Sequence, residues 1–502
     1  MIDVREDHLK IVLDILNKFV PSCEARVFGS RYKWTAKDYS DLDLAIVGKE
    51  KIDWKLLADI KEAFQESELP YRVDVLDWNR ISEEFKKVIE TSGYEVLKKS
   101  SGGKVNDDWC LKNLGELTIL NYGKGLTAEN RKSGKIPVYS SSGITGYHDH
   151  ALVNEPGIII GRKGTVGTVF YSTSPFYCID TAYYIRKSDI NFDLKYLYYL
   201  IKNLNLNLLN EDSAVPGLNR NTAYSQICYV PNSNTTKLKI ANILSSLDDK
   251  IELNQKMNET LESMAKAIFK EWFIDFGPVK AKAEGRKPFG MDDETAALFP
   301  DSFEESELGL IPKGWRVIAL DEMANYLNGL ALQKYPPTGR DDLPVVKIAQ
   351  LRANSTDGAD LANKNIPTEY ILEDGSVVFS WSGTLEVKIW TGGKGALNQH
   401  LFKVSSNKFP KWFYWLSTLQ HLDFFKKIAE SKATTMGHIQ RKHLTEAKVF
   451  HPSIEITKKI DKYFSPILEQ MILLKIETRK LERIRNILLP KLISGEISLS
   501  DV

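Results

Sequence analysis

Asp41 and Asp43 stand two residues apart in Asp41-Leu42-Asp43-Leu44-Ala45-Ile46-Val47, shortly after a Phe28-Gly29-Ser30-Arg31 run. The apolar spacing of that segment predicts a strand. Residues i and i+2 of a strand project from one face, so the two carboxylates share a side. Carboxylates placed in this way can hold divalent metal ions, which bind triphosphate oxygens. Asp74 lies in a neighbouring expected strand, Tyr71 to Leu76. It either completes the metal site or accepts the proton of an attacking hydroxyl. Gly29-Ser30 at a helix start offers backbone N–H groups to a phosphate. Catalytic and metal-binding roles are therefore expected for Asp41, Asp43 and Asp74. Nucleotide contact is expected of Gly29, Ser30 and Arg31, with Mg2+ and a nucleoside triphosphate as cofactors.

These residues need a sheet and helices to place them. Residues 1–98 supply strand patterns at 25–28, 41–47 and 71–76, and helix patterns from His8 to Val20, Trp54 to Phe64 and Ser82 to about Leu97. Short apolar strands alternating with amphipathic helices predict an α/β domain. With its Gly-Ser pair, its Asp-x-Asp and a third strand acid, it resembles the nucleotidyltransferase superfamily in its minimal form. That resemblance implies transfer of a nucleotide to hydroxyl acceptors, including protein side chains, and in some members a toxin–antitoxin partnership. The competing expectation is a fold that keeps these residues and serves only as a docking module. Residues 99–107 are polar and Gly/Ser-rich, as a linker would be.

Beyond the linker the chain repeats itself. Asp108-Trp109 answers to Gly314-Trp315, Ile136-Pro137-Val138 to Leu343-Pro344-Val345, and Gly164-Thr165 to Gly383-Thr384. Tyr183 and Ile185 answer to Phe402 and Val404, and Leu218-Asn219-Arg220 to Ile439-Gln440-Arg441. The offset drifts from 206 through 219 to 221, as in a tandem duplication with small loop insertions. The expected heads are residues 108–235 and 309–452, joined by an acidic, Pro/Gly-punctuated connection at 278–308.

Each head ends in a heptad run. Ile240, Leu244, Leu247, Ile251, Asn254, Asn258, Leu261, Ala265, Ile268 and Trp272 step by fours and threes, as do Ile460, Phe464, Ile467, Met471, Leu474, Thr478, Leu481 and Leu488. Rods are expected at 236–277 and 453–490, with a tail at 491–502. An ordinary amphipathic helix packed on its own head would also fit. Matched lengths, and a polar residue at the same seam position (Asn258 and Thr478), favour rods that pair with each other and use those residues to set register. Paired rods would run antiparallel and hold the heads about 60 Å apart, at 1.5 Å per residue. The fold class expected is α+β multidomain. It comprises an N-terminal α/β nucleotidyltransferase-like domain and two duplicated α/β target-recognition domains, separated by two long antiparallel coiled-coil helices.

Residues 108–502 resemble the DNA-specificity subunit of type I restriction–modification systems. The resemblance rests on the Trp109 and Trp315 entries, Pro137 to Gly146, Gly161-Arg162-Lys163-Gly164-Thr165, Asn219-Arg220 before Val230-Pro231, the connection from Phe289 to Trp315, and the two rods. It implies that each head reads half of a split sequence in double-stranded DNA, and that the rods set the gap and dock methyltransferase subunits. Those partners would bind S-adenosylmethionine, so the specificity region itself carries no cofactor, and translocase–nuclease subunits would complete the complex. The alternative is a metal-dependent nucleotidyltransferase targeted by its DNA-binding region.

Reading a duplex needs Lys and Arg for phosphates and polar side chains for base edges. Candidates are Arg162, Lys163, Thr165, Asn219 and Arg220 in the first head, and Ser382, Thr384, Lys388, Lys394, Gln440 and Arg441 in the second. The bland account of any one of them is an exposed loop charge. Trp381-Ser382 stands where the first head has Arg162-Lys163, and an asymmetric target would require such a difference. His148-Asp149-His150 has ligand types but lies in a polar loop without further Cys or His, and reads as loop polarity. His438 and His443 flank Gln440-Arg441 in a DNA-proximal or structural place, and Trp381, Trp390, Trp412 and Trp415 read as core and rim.

Composition bounds the rest. At 502 residues the chain has room for about three domains. A net charge of +1 excludes a uniformly basic nucleic-acid coat but not a local basic patch. The absence of any run of 18 apolar residues argues against a membrane span. Early acids at the N-terminus and four dispersed cysteines (Cys23, Cys110, Cys178, Cys228) without a CxxC pair predict reduced thiols in a cytoplasmic protein.

Overall fold

The computed structural model describes residues 3–21, 23–33, 35–36, 40–48, 50–98, 109–209, 217–431, 437–497 and 499. The expected linker 99–107, Asp108, and residues 498 and 500–502 of the expected tail lie outside the described residues. The chain divides into two compact units, Met1–Ser245 with Ile487–Val502, and Ser246–Asn486.

The first unit opens with a four-stranded sheet in the order Val73–Asp77, Leu42–Val47, Glu24–Phe28, Glu95–Lys98. Leu42–Val47 runs parallel to Val73–Asp77 and antiparallel to Glu24–Phe28. Ala25, Val27, Leu42, Leu44, Ile46, Val73 and Val75 pack on Val12 and Leu16 of helix Glu6–Phe19, and on Leu57, Ile60 and Phe64 of helix Trp54–Gln65. Strand alternation then puts Phe28, Asp43 and Asp74 on the opposite face. The helix expected to reach about Leu97 is shorter, spanning Glu83–Ser92. Gly93 takes φ +85, and a Cβ there would fall within 3 Å of the Tyr32 ring, so the helix stops. Glu95–Lys98 then becomes the fourth strand, beside Glu24–Phe28.

The first head follows. Its main sheet has the order Val169–Ser172, Gly157–Gly161, Ala182–Arg186, Asn121–Tyr122, and Trp109–Asn113 pairs antiparallel with Ile227–Pro231. In the second unit the same order recurs as Val387–Trp390, Ser376–Ser380, Leu401–Ser405, Asn325–Asn328, and Arg316–Ala319 pairs with Lys448–His451. The duplication read from sequence spacing is therefore a duplication of sheet topology.

The heptad runs form helices Asn234–Phe269 and Ile454–Ile493. The first yields to a π turn at Lys270–Ile274, and Phe276 takes a left-handed φ of 55° before a separate helix, Gly277–Ala283. Within the second unit the rods pair antiparallel. Arg485 Nη1 donates to Asp248 Oδ1 at 2.6 Å, Asn254 Nδ2 donates to Glu477 Oε2 at 2.8 Å, and Trp272 meets Phe464 edge-on at 5.9 Å. Within the first unit Ile240, Ala241 and Leu244 share a core with Leu489, Leu492 and Ile493. The buried amide that bonds across the rods is thus that of Asn254. Asn258 and Thr478 fall near the midpoint of the pair, at about the level set by the Asn254–Glu477 and Trp272–Phe464 contacts, yet no hydrogen bond joins them. Asn258 Nδ2 instead donates to Asn254 O at 3.2 Å on its own helix, and Asn258 Oδ1 and Thr478 Oγ1 are buried without a partner.

Phe464 is 1% exposed and stacks on Trp412 at 4.0 Å between ring centroids. Phe464→Ala is expected to destabilise the second unit by about 3–5 kcal/mol. Denaturant titration, followed by amide exchange in helix Lys411–Gln420, checks it; an unchanged midpoint would show that this stack does not support the unit.

Candidate functional site

Phe28 and Asp43 are directly opposite across one strand pair, and Asp43 and Asp74 across the next. Gly29, at φ +76, turns the chain from strand Glu24–Phe28 into the short helix Gly29–Tyr32 against the Asp43 carboxylate. A Cβ on Gly29 would lie 2.1 Å from Asp43 Oδ2, so only glycine lets the helix start approach that acid. Burial, and then the neighbouring Asp74 and Asp41 carboxylates, raise the Asp43 carboxyl above its ordinary range. Asp74 leans on Arg72 at 3.2 Å, at a half-exposed position. Among the described residues no Lys or Arg forms an ion pair with Asp41 or Asp43. The three acids are near enough for Asp74 and Asp41 to act on the charge of Asp43, but their oxygens do not gather within 4.8 Å as the ligand atoms of His148, Asp149 and His150 do. Arg31 is placed differently. Its guanidinium donates to Ser40 O at 2.8 and 3.0 Å and to Asp3 O at 3.0 Å, and lies 3.8 Å from the Tyr71 ring centre.

The first head has its own cleft. A cavity of about 390 Å³ is lined by Tyr122, Arg162, Lys163, Tyr183, Gly217, Leu218, Asn219, Arg220 and Asn221. Two loops far apart in sequence build it. Leu218 N donates to Arg162 O at 2.9 Å, and Lys163 bridges Gly217 as in an antiparallel sheet. Arg162 and Arg220 flank the Tyr122 ring at 4.9 and 5.1 Å. Tyr183 Oη donates to Leu218 O at 3.0 Å, and burial followed by the Tyr122 neighbour raises its phenol above the usual range. Asn219 Oδ1 caps helix Arg220–Tyr224 by accepting from Asn221 N at 2.8 Å. The lining carries three cations and no acid, so it attracts anions. Thr165 is exposed nearby, outside the lining.

The second head repeats the backbone and changes the side chains. Ile439 N donates to Trp381 O at 3.0 Å, and Ser382 bridges His438. Trp381 thus stands where Arg162 stands, Ser382 for Lys163, Gln440 for Asn219 and Arg441 for Arg220. Phe402 pairs with Asn328 as Tyr183 pairs with Tyr122. Trp381 Nε1 donates to Asn328 Oδ1 at 2.9 Å, and buried Ser382 shares a 2.9 Å hydrogen bond with His400 Nδ1. Arg441 Nη2 donates to Tyr326 O at 3.1 Å, and its guanidinium lies 5.9 Å from the Phe402 ring centre. Thr384 is exposed in the same hairpin turn.

Lys388 and Lys394 are not gathered there. Lys388 Nζ donates to Arg352 O at 2.8 Å and pairs with Glu386 at 3.2 Å, while Lys394 faces Glu373 at 3.8 Å. Tyr122, Asn328 and His400 were missed by sequence reasoning. Tyr122 and Asn328 share no residue type between the copies, so the repeat could not flag them. His443 is buried, and its Nδ1 accepts from Gln440 N at 3.0 Å, a structural cap. His148, Asp149 and His150 do approach one another, with ligand-type atoms all within 4.8 Å. His148 Nδ1 already accepts from Lys132 N at 3.0 Å, and Asp149 pairs with His150 at 2.5 Å.

A family model described as the type I restriction modification DNA specificity domain matches residues 106–263 and 312–485, together more than half of the chain. The chain belongs to that family. The specificity subunit of type I restriction enzyme MjaIX from Methanocaldococcus jannaschii is 26% identical over 441 residues, covering 81% of this chain and 97% of that protein. The HindI specificity subunit of Haemophilus influenzae is 27% identical over 309 residues, 52% of this chain and 67% of that one. The fold is shared with the S subunit of a type I restriction–modification system from M. genitalium, at TM-score 0.50 and 18% identity, covering 78% of this chain and 97% of that one. A model described as polymerase beta, nucleotidyltransferase, matches residues 13–102. The probable protein adenylyltransferase MntA of Haemophilus influenzae is 49% identical over 88 residues, 18% of this chain and 77% of that protein. The molecule is a type I restriction–modification specificity subunit carrying an N-terminal nucleotidyltransferase domain.

If the acids hold a divalent cation, Mg2+ at ten times its dissociation constant will slow amide exchange in Leu42–Val47 about tenfold. Asp43→Asn is expected to abolish that protection in the full chain. Equal exchange with and without Mg2+ in the wild type would show that the three acids bind no metal.

Proposed function

We propose that this specificity subunit reads a bipartite duplex, one half-site per head, with the paired rods setting the gap between the half-sites. The observation that carries the reading is the recurrence of one backbone bridge, Lys163 to Gly217 and Ser382 to His438, bearing different side chains in the two heads. The same scaffold with different contact groups is what an asymmetric target demands. Arg162, Lys163 and Arg220 suit phosphates and guanine edges, and Asn219 and Gln440 suit adenine. Ser382, Thr384, Thr165 and Arg441 join them as contact candidates, with Lys388 and Lys394 at the flank.

Apolar side chains exposed along the rods support docking of methyltransferase subunits. Leu253, Met257 and Met264 on one rod, and Leu473 and Ile484 on the other, are 39–60% exposed at helical spacing. S-adenosylmethionine would reside on those partners, and translocase–nuclease subunits would complete the assembly in the cytoplasm. No helix among the described residues is long and apolar enough to cross a membrane. None of the four cysteines forms a disulfide, and burial pushes the Cys178 and Cys228 thiols up to about 12.

A second reading concerns the N-terminal domain, and the Asp43–Asp74 pairing beside Gly29 favours it. Asp41, Asp43 and Asp74 would hold Mg2+, which supplies charge neutralisation for a nucleoside triphosphate. Gly29 and Ser30 would present backbone N–H groups to its phosphates, and Asp74 would take the proton of an acceptor hydroxyl. Arg31 would brace the loop through Ser40 and Asp3.

Arg162→Ala and Arg220→Ala should each lower affinity for the duplex selected by the wild-type chain and its methyltransferase partner. Each should flatten the log–log salt dependence by about 1. A slope equal to wild type would remove the first cleft from the interface. Asp41→Ala with Asp43→Ala should keep duplex selection and lose Mg2+-dependent label transfer from a nucleoside triphosphate. Label transfer surviving in the double variant would refute the assignment of these acids.

A further inference from the structure

The second head can present Trp381, Gln440 and Arg441 in phase with a duplex only if it is held at a fixed angle on its rod. The second unit contains two separate anchors between head and rod. The first is largely apolar: Trp412 stacks on Phe464 at 4.0 Å, and Trp412 Nε1 donates to Asp461 Oδ1 at 2.8 Å. This stack belongs to a core that takes in Leu468, Met471 and Ile472 of the rod and stops short of Arg479.

The second anchor is a fork of hydrogen bonds. Arg479 Nη1 donates to Asp374 Oδ1 at 2.9 Å, and Nη2 donates to Asp374 Oδ2 at 2.8 Å. Nη1 also donates to Thr391 O, and Gly393 N donates to Asp374 Oδ1 at 2.8 Å. Asp374 and Gly393 lie at the end of the head's main sheet, on either side of the pair Ser376–Ser380 and Val387–Trp390. Arg479 and Phe464 are fifteen residues apart on one helix, about 22 Å at 1.5 Å per residue. The fork therefore extends the head's attachment to the rod beyond the end of the apolar core and adds a direction that apolar packing lacks. The planar guanidinium adds direction, because both its nitrogens must face both carboxylate oxygens.

The first head has no such pair. The strand alignment that places Ser376 on Gly157 places Asp374 on Glu155, and the rod alignment that places Phe464 on Leu244 places Arg479 on Glu259. Two glutamates cannot make a charge-assisted fork. Glu155 is engaged elsewhere, accepting from Ser188 N at 2.9 Å and Ser188 Oγ at 2.7 Å.

We propose that Arg479 and Asp374 are positioning residues that lock the second head's angle on its rod and thereby narrow the gap between half-sites that the chain accepts. The lock rests on the reading of the chain as a bipartite reader. It acts on gap length and not on base identity, because neither residue belongs to the reading loops.

The test is a selection with the full chain and its methyltransferase partner. The probe is a pool of duplexes carrying two randomised blocks separated by gaps of varied length. Wild type is expected to enrich one gap. Arg479→Met, which keeps the aliphatic stem, and Asp374→Asn should each raise the share of gaps one base pair longer or shorter about threefold, the Boltzmann weight of an ion pair that keeps part of its contact with water. The enriched block sequences should stay the same. The exchange Asp374→Arg with Arg479→Asp rebuilds the ion pair with its polarity reversed and should restore the narrow distribution. Either single variant selecting the wild-type gap distribution, or an exchange that fails to narrow it again, overturns the lock. A wild-type chain that enriches paired blocks at every gap equally overturns the lock and the role of the rods in setting the gap, and leaves the reading of two half-sites standing. Enrichment of no paired blocks at all overturns the bipartite reading, and the lock with it.

Discussion

The stack of Trp412 on Phe464 is the contact on which the second unit turns. Trp272 closes on Phe464 from the other rod, and Phe273 and Phe413 pack on the same cluster. One aromatic nucleus therefore joins two rods and a head. Large rings bury much area with few rotamers to freeze, so a small number of them can fix a three-way junction. The heptad seam continues from it through Leu468 and Met471 to the buried Asn254, whose bond to Glu477 is polar in an otherwise apolar track. An unmatched polar group in that track is costly, so a register that gives Asn254 Nδ2 an acceptor is favoured over one that does not, although Asn254 Oδ1 stays buried without a partner.

Duplication explains how one scaffold carries two chemistries. In both heads a loop between two sheet strands is tied to the loop before a short helix by backbone hydrogen bonds, Leu218 to Arg162 and Ile439 to Trp381. Because main-chain groups make the tie, the side chains are free to diverge. The first head uses that freedom for positive charge around Tyr122. The second uses it for an indole, a buried serine and an imidazole, with Arg441 retained. The N-terminal domain applies a different economy of space: Gly29 has no side chain, and the Asp43 carboxylate fills the room so left.

Much of this was legible in the residues. The repeat, its drift from 206 to 221, the two rods and the Gly-Ser with Asp-x-Asp set could be read because each depends on local periodicity or on fixed short spacing. The short helix Glu83–Ser92 was overread, because Val96 and Leu97 continue its apolar pattern and only a left-handed Gly93 ends it. Lys388 and Lys394 were grouped with the reading loops on nearness in sequence, yet strand geometry directs them to Arg352 and Glu373.

Sequence by itself determined that the chain holds a nucleotidyltransferase-like domain, two related heads and two heptad helices, since composition and period are properties of neighbouring residues. Only the tertiary structure decided that Tyr122 lies between Arg162 and Arg220, that Asn254 finds Glu477, and that Arg479 closes on Asp374. Those contacts join residues from about forty to more than two hundred positions apart. Chain folding sets their distances, and no local pattern encodes them.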